Sequence, residues 1–171
     1  ELNIFQKDKN SEDVDCKFFY ANDDDFIDLY VASGGSEFSE FSTALADRLY
    51  INSGSNDFIK TDKIFPNDKF ESSSVVEISD FDNDGDYDLF VGIRLIPQNY
   101  GLSASSYILK NDGKGNFTNV TNKIAESLNN LGMVTDAKWL DIDNDKDMDL
   151  VVVGHWMPIT IFENINGKYY K

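Results

Sequence analysis

Two ten-residue windows of this 171-residue chain place aspartate at every second position. Asp80 to Leu89 reads D-F-D-N-D-G-D-Y-D-L, and Asp141 to Leu150 reads D-I-D-N-D-K-D-M-D-L. Together they hold ten of the 23 aspartates. In a tight turn the carboxylates at positions 1, 3, 5 and 9 come within a few ångströms of one another. One like-charged pair at 4 Å costs about 4 kcal/mol at an effective dielectric near 20, and several such pairs exceed a domain's margin of about 5 to 15 kcal/mol. Either a cation neutralises the loop or the loop splays open. Oxygen-only, largely ionised ligands on a flexible loop suit Ca²⁺ with its six to eight oxygens better than Mg²⁺, which keeps its waters. Zinc is disfavoured because His and Cys are missing from both windows. Gly85 at position 6 permits a left-handed turn, and Asp86 at position 7 would add its backbone carbonyl. The second loop has Lys146 at the turn position, which predicts more strain or weaker affinity.

The calcium loop of a helix-loop-helix hand starts in the same way but needs a bidentate Glu at position 12, where this chain has Val91 and Val152. The flanking residues also read as strands. Val76, Ile78 and Asp80 correspond to Ala137, Trp139 and Asp141, with apolar and polar positions alternating; after each loop comes an apolar, β-branched run, Leu89-Phe90-Val91 or Leu150-Val151-Val152-Val153. An eroded third copy lies 60 residues earlier. There Asp28-Leu29-Tyr30-Val31 matches Asp88-Leu89-Phe90-Val91, but Tyr20 and Phe26 replace two aspartates. Asn22, Asp24 and Asp28 keep oxygen-bearing side chains, and for them a solvated acidic turn is the favoured reading.

A second element repeats in step: Arg48 to Gly54, Ser106 to Gly113 and Thr160 to Gly167 are each an apolar strand followed by an Asn/Gly turn, with Phe58, Phe117 or Tyr169 beyond it. Each unit therefore supplies four short strands. A period near 60 with four strands per unit predicts an all-β chain of propeller blades. The expected organisation is a lead-in over 1–12, a first blade-like repeat with a degenerate loop over 13–64, a second over 65–131 and a third over 132–171. Thr121 to Leu131, with Ile124, Leu128 and Leu131 on one face and Gly132 as the stop, predicts a linking helix.

Composition narrows the function further. A formal charge of −16, with only Arg48 and Arg94 as arginines, repels phosphate backbones and argues against nucleic-acid binding. No apolar stretch reaches the roughly 18 to 20 residues of a membrane span. Glu1 to Asn10 lacks the layout of a signal peptide, so an export signal is expected to lie outside these residues or to have been removed. The single cysteine, Cys16, reads as a small buried apolar residue. The single histidine, His155, has no recognisable nucleophile partner, and the chain reads as no enzyme. At the strand ends opposite the acidic loops, Arg94 and Tyr100, together with His155 and Trp156, are candidates for a ligand face.

The stretch D-F-D-N-D-G-D-Y-D-L-F-V followed by N-D-G-K-G-N-F resembles the FG-GAP/VCBS repeat, the blade unit of integrin-α-type β-propellers and of many secreted bacterial proteins. Leu29 to Gly35, Gly132 to Asp136 and Trp156 to Thr160 are similar to bacterial VCBS proteins related to cartilage acidic protein. The resemblance implies Ca²⁺ ligation by Asp80, Asp82, Asp84, Asp86 and Asp88, by Asp141, Asp143, Asp145, Asp147 and Asp149, and, in degenerate form, by Asn22, Asp24 and Asp28. It also implies three blades of a larger propeller, completed by further blades on the same or other chains. The function expected is a non-catalytic, calcium-binding adhesion module that binds a protein or glycan partner at a bacterial outer membrane or outside the cell. The alternative is the propeller portion of a carbohydrate-active enzyme such as a polysaccharide lyase.

Overall fold

The computed structural model describes residues 3–55, 57–61 and 70–171. Each repeat folds as its own four-stranded antiparallel meander. The first sheet is β1 (Glu12–Phe19), β2 (Asp28–Gly34), β3 (Arg48–Asn52) and β4 (Phe58–Thr61). The second is β5 (Ser72–Ser79), β6 (Asp88–Leu95), β7 (Tyr107–Asn111) and β8 (Phe117–Asn119). The third is β9 (Met133–Leu140), β10 (Asp149–His155), β11 (Thr160–Asn164) and β12 (Tyr169–Tyr170). Strand order follows chain order within each sheet, as short hairpin connections favour. The expected boundary at 64/65 between the first two repeats lies outside the described residues.

The sheets pack face to face as consecutive, propeller-like blades, and two apolar cores fill the gaps. Phe19, Tyr30, Ala32 and Leu49 of the first sheet meet Val76, Leu89, Val91 and Leu109 of the second. Val75, Phe90 and Ile108 on the other face of the second sheet meet Val134, Ala137, Leu150, Val152 and Phe162 of the third. The middle sheet is thus covered on both sides, which is why β6 is buried almost throughout, whereas β11 alternates buried and exposed as a one-sided strand does. Gly92 lets the second and third sheets approach closely: a Cβ there would lie 2.6 Å from Val75 Cγ1 and 2.7 Å from Val134 Cγ1. No core among the described residues joins the third sheet back to the first.

Polar contacts tie the inner strands β1, β5 and β9 across the sheets. Asp15 Oδ2 accepts the Val76 N–H at 3.0 Å, beside an irregularity in the β1–β2 register. Asp47 accepts from Ser33 N–H at 2.7 Å, Tyr30 Oη at 2.9 Å and, across the interface, Ser73 Oγ at 2.9 Å. Burial pushes its carboxyl up to about 7 despite these donors.

Two local expectations are corrected. The linking segment is not one helix: α2, a short helix after the lead-in helix α1 (Ile4–Lys7), covers only Thr121–Ile124, and a 3₁₀ turn follows over Glu126–Leu128. The break at Ala125, with φ −147°, sets Ala125 and Leu128 into the second core, and the Thr121 hydroxyl accepts from Ile108 N–H at 2.8 Å. Packing against the sheets therefore outweighs helical periodicity here. Cys16 is exposed rather than buried. Its counterpart Val76 is fully buried, because the second sheet has a neighbour on that side and the first has none at Cys16.

Among the described residues no helix is long and apolar enough to cross a membrane. Truncating Phe90, fully buried in the second core, removes contacts from both sheets it joins. Phe90→Ala is expected to cost about 3 to 5 kcal/mol in a urea unfolding titration.

Candidate metal centre

Both acidic loops link an inner strand to its neighbour, β5 to β6 and β9 to β10, and both fold as the tight turn that the charge pattern demands neutralised. Left-handed residues make the turn: Asn83 (φ 60°) and Gly85 (φ 97°) in one, Asn144 (φ 66°) and Lys146 (φ 81°) in the other. Asn tolerates this conformation better than most side chains, whereas a lysine is strained there, so the expected strain in the second loop is present. Aspartate side chains then staple the turn. Asp80 accepts from the Asp84 and Gly85 N–H groups, both at 3.0 Å, and Asp141 from those of Asp145 and Lys146, both at 3.1 Å.

In each loop three carboxylates converge. One oxygen each from Asp80, Asp82 and Asp88, and one each from Asp141, Asp143 and Asp149, lie within 4.8 Å of one another. Either aspartate triad could hold a metal ion. The first carries the stronger indication, because Asp82 Oδ1 and Asp88 Oδ2 are buried and have no hydrogen-bond partner. A buried carboxylate oxygen left unsatisfied costs more than the roughly 1 to 3 kcal/mol of a neutral polar group, and a hard cation satisfies both oxygens at once. Burial, then the charges of Asp82 and Asp84, push the Asp88 carboxyl up to about 7. In the second triad Asp149 spends both oxygens on backbone N–H groups, those of Ile142 at 2.9 Å and Asn164 at 2.8 Å.

The remaining loop aspartates take other partners. Asp84 stands outside the triad: its Oδ2 lies 2.8 Å from Lys110 Nζ, which also pairs with Asp82, and its Oδ1 accepts from Asp86 N–H at 3.0 Å. That lysine holds the Asp84 carboxyl below its ordinary range. Asp145 likewise accepts from Asp147 N–H at 2.8 Å. The side chain of Asp86 lies over the turn at Gly113, and surrounding carboxylates help to raise its pKa beyond the desolvation that leads it. In the eroded loop, Asn22 Oδ1 accepts from Asp24 N–H and Asp24 Oδ1 from Phe26 N–H, and no triad forms among the described residues.

The position-9 aspartate has a role that the spacing argument did not reveal. Asp28, Asp88 and Asp149 are all buried, and each bridges its own loop or strand to the third strand of its sheet. Asp28 accepts from Ala21 and Asn52, Asp149 from Ile142 and Asn164, and Asp88 from Asn111 at 2.8 Å. Asp88 Oδ2 has no hydrogen bond of ordinary geometry, although the nearby Phe81 N–H still works against the rise of its carboxyl pKa. The Asn that ends each third strand, read from sequence as a turn residue, is also structural. Asn111 Nδ2 donates to Tyr87 O at 3.1 Å in its own loop and to Ala21 O at 2.9 Å in the preceding one; Asn164 Nδ2 reaches Met148 O at 3.4 Å and Phe81 O at 3.5 Å. The signal was present in the sequence: Asp-Leu at the strand start and Asn at the third-strand end recur in all three repeats, including the one whose loop has eroded.

At the opposite strand ends, Arg94 and Tyr100 line a cavity of about 290 Å³ with Glu12, Ser72 and Thr135. Tyr100 meets Trp156 edge to face, with ring centroids 5.6 Å apart. Trp156 is 79% exposed and has φ 56°, a strained conformation for a bulky residue. His155 is exposed at the end of β10.

Replacing Lys146 by glycine relieves the left-handed strain without filling any space, since a Cβ at the matching Gly85 meets nothing within 4 Å. Lys146→Gly is expected to raise stability by about 1 kcal/mol in urea unfolding, and Gly85→Lys to lower it by a similar amount.

No curated protein and no solved structure matches the chain. The family model described as an FG-GAP-like repeat matches residues 80–152, from position 1 of the first full acidic loop, through the second, into β10. Those residues belong to the FG-GAP-like repeat family.

Proposed function

We propose that the chain is a non-catalytic, calcium-binding module of propeller blades from a secreted or cell-surface bacterial protein, and that its rim opposite the acidic loops holds a protein or glycan partner. The observation that carries the calcium assignment is the pair of buried, partnerless oxygens, Asp82 Oδ1 and Asp88 Oδ2, inside an all-oxygen cluster. Such a donor set suits a hard divalent ion, and extracellular calcium modules bind with dissociation constants of about 10⁻⁴ to 10⁻³ M. Outside a cell that affinity is enough for occupancy. The chemistry of the opposite rim supports the adhesive role: an exposed indole braced by Tyr100 beside a cavity with an arginine suits the flat faces and hydroxyls of a sugar or a protein side chain.

Chelation is expected to lower the melting temperature, since a site filled at 100 times its dissociation constant contributes about 2.7 kcal/mol. Asp82→Asn should remove one calcium-binding event from a calorimetric titration and leave the weaker one, whereas an unchanged titration would refute the first site. The pH dependence has a defined sign. The folded pKa of Asp88 lies above its unfolded value, so its contribution to stability is present below about pH 4 and is lost as pH rises through about 7. Bound calcium restores it, so the calcium-induced rise in melting temperature should be larger at pH 7.5 than at pH 5. For the rim, Trp156→Ala should leave the melting curve unchanged and weaken binding on a glycan array, with no turnover of polysaccharide by either protein.

A further inference from the structure

One lysine sits among the aspartates of the Asp80–Asp88 loop. Lys110 projects from β7, and its Nζ pairs with Asp82 Oδ2 and, at 2.8 Å, with Asp84 Oδ2. At Asp82 the two oxygens differ: Oδ2 meets the lysine, while Oδ1 is buried and has no hydrogen-bond partner. At Asp84 both oxygens are engaged, Oδ1 with the Asp86 N–H and Oδ2 with the lysine, and Asp84 lies outside the converging triad. Lys110 immediately precedes Asn111, the residue that ends the third strand, so its counterparts are Ile51 in the first repeat and Glu163 in the third. Among the described residues, only this acidic loop has a cation paired with its aspartates. Asp145, the counterpart of Asp84, accepts from Asp147 N–H but makes no ion pair among those residues.

We infer, on the calcium reading above, that Lys110 sets the affinity of the Asp80–Asp88 loop: it weakens calcium binding through its own charge and by withholding Asp84 from the ion. Calcium affinity of an oxygen site follows the number of charged ligands and the freedom of the loop that carries them. Here the lysine offsets one of the four negative charges at positions 1, 3, 5 and 9 and holds the position-5 side chain on itself. A divalent ion at the triad shares Asp82 with the ammonium group. Two like charges then face each other across one carboxylate in a partly buried place, where salt screens weakly. The third repeat reverses the sign. Glu163 adds a negative charge where Lys110 adds a positive one, so two loops with matching aspartates differ in charge balance.

A double-mutant cycle in calcium affinity tests this, by calorimetric titration of the full chain with calcium chloride in an Asp143→Asn background that silences the other loop. Lys110→Met, which drops the charge and keeps much of the length, should tighten binding by about tenfold. Lys110→Gln should act in the same direction, whereas Lys110→Arg should stay close to the parent. Asp84→Asn should change the parent's affinity little and should remove most of the tightening from the Lys110→Met chain. Affinity unchanged or weakened by both uncharged variants would overturn the inference, as would equal effects of Asp84→Asn in the two backgrounds. Melting curves supply a second readout. Lys110→Met should lower the melting temperature in chelator, where it removes two ion pairs, and should lose that deficit in millimolar calcium, because tighter binding stabilises the fold more. An equal deficit in both media would mark the lysine as a structural ion pair only and overturn its role toward the ion. Absence of calcium heat from every variant would refute the calcium reading and this inference with it; a failed cycle in chains that do bind calcium would refute this inference alone.

Discussion

The arrangement depends on a carboxylate held away from water at the start of the second strand of every repeat. Asp28, Asp88 and Asp149 are buried, and a buried carboxylate is tolerated only when its oxygens are bonded or neutralised. In the first and third repeats backbone N–H groups satisfy both oxygens, which fixes the loop, the second strand and the third strand relative to one another. In the second repeat Asp88 Oδ2 has no hydrogen bond of ordinary geometry, and one carboxylate oxygen of Asp88 lies within 4.8 Å of those of Asp80 and Asp82. The same residue thus acts as a structural strut in all three repeats and as a candidate ligand in the second and third, with an unpartnered oxygen in the second. The first loop keeps this strut although Tyr20 and Phe26 stand where the second has the turn-stapling Asp80 and the position-7 Asp86.

The three repeats also show how one sheet is handed to the next. The apolar faces supply the area, and the Asn side chains and the Lys17–Glu77–Lys138 series set register along it. Apolar packing alone is tolerant of sliding; bonds that run from a side chain to a particular backbone carbonyl are not. A quasi-linear array of this kind gains stability from each neighbour contact, so its middle member is the best covered and its outer faces the least.

Much of this was legible in the amino-acid sequence. Strand alternation around the acidic windows, the 60-residue period and the Asn/Gly turns gave four strands per repeat, and all twelve are present. Carboxylate spacing gave positions 1, 3, 5 and 9 of each loop as convergent groups, and three of the four, Asp80, Asp82 and Asp88 and their counterparts Asp141, Asp143 and Asp149, do converge. Spacing could not show that Asp84 turns to Lys110, because that lysine lies on a strand 26 residues away and only the fold brings it near. The linking segment misled for a related reason: Ile124, Leu128 and Leu131 follow a helical period, but the void between two sheets is filled better by a broken turn than by a straight helix. Cys16 was misread because burial of one face of a sheet depends on a neighbour that local sequence does not record.

The strands β2, β6 and β10 all begin at an aspartate-rich turn and run toward the end that carries Arg94, Tyr100 and Trp156. Negative charge is therefore concentrated on one side of the body, and the molecule has an electrical polarity as well as a net charge of −16. Near any negatively charged surface such a body experiences a torque that turns its acidic side away and its aromatic side toward that surface. Cations that bind the turns reduce that torque, so local mineral content would tune how strongly the approach is oriented.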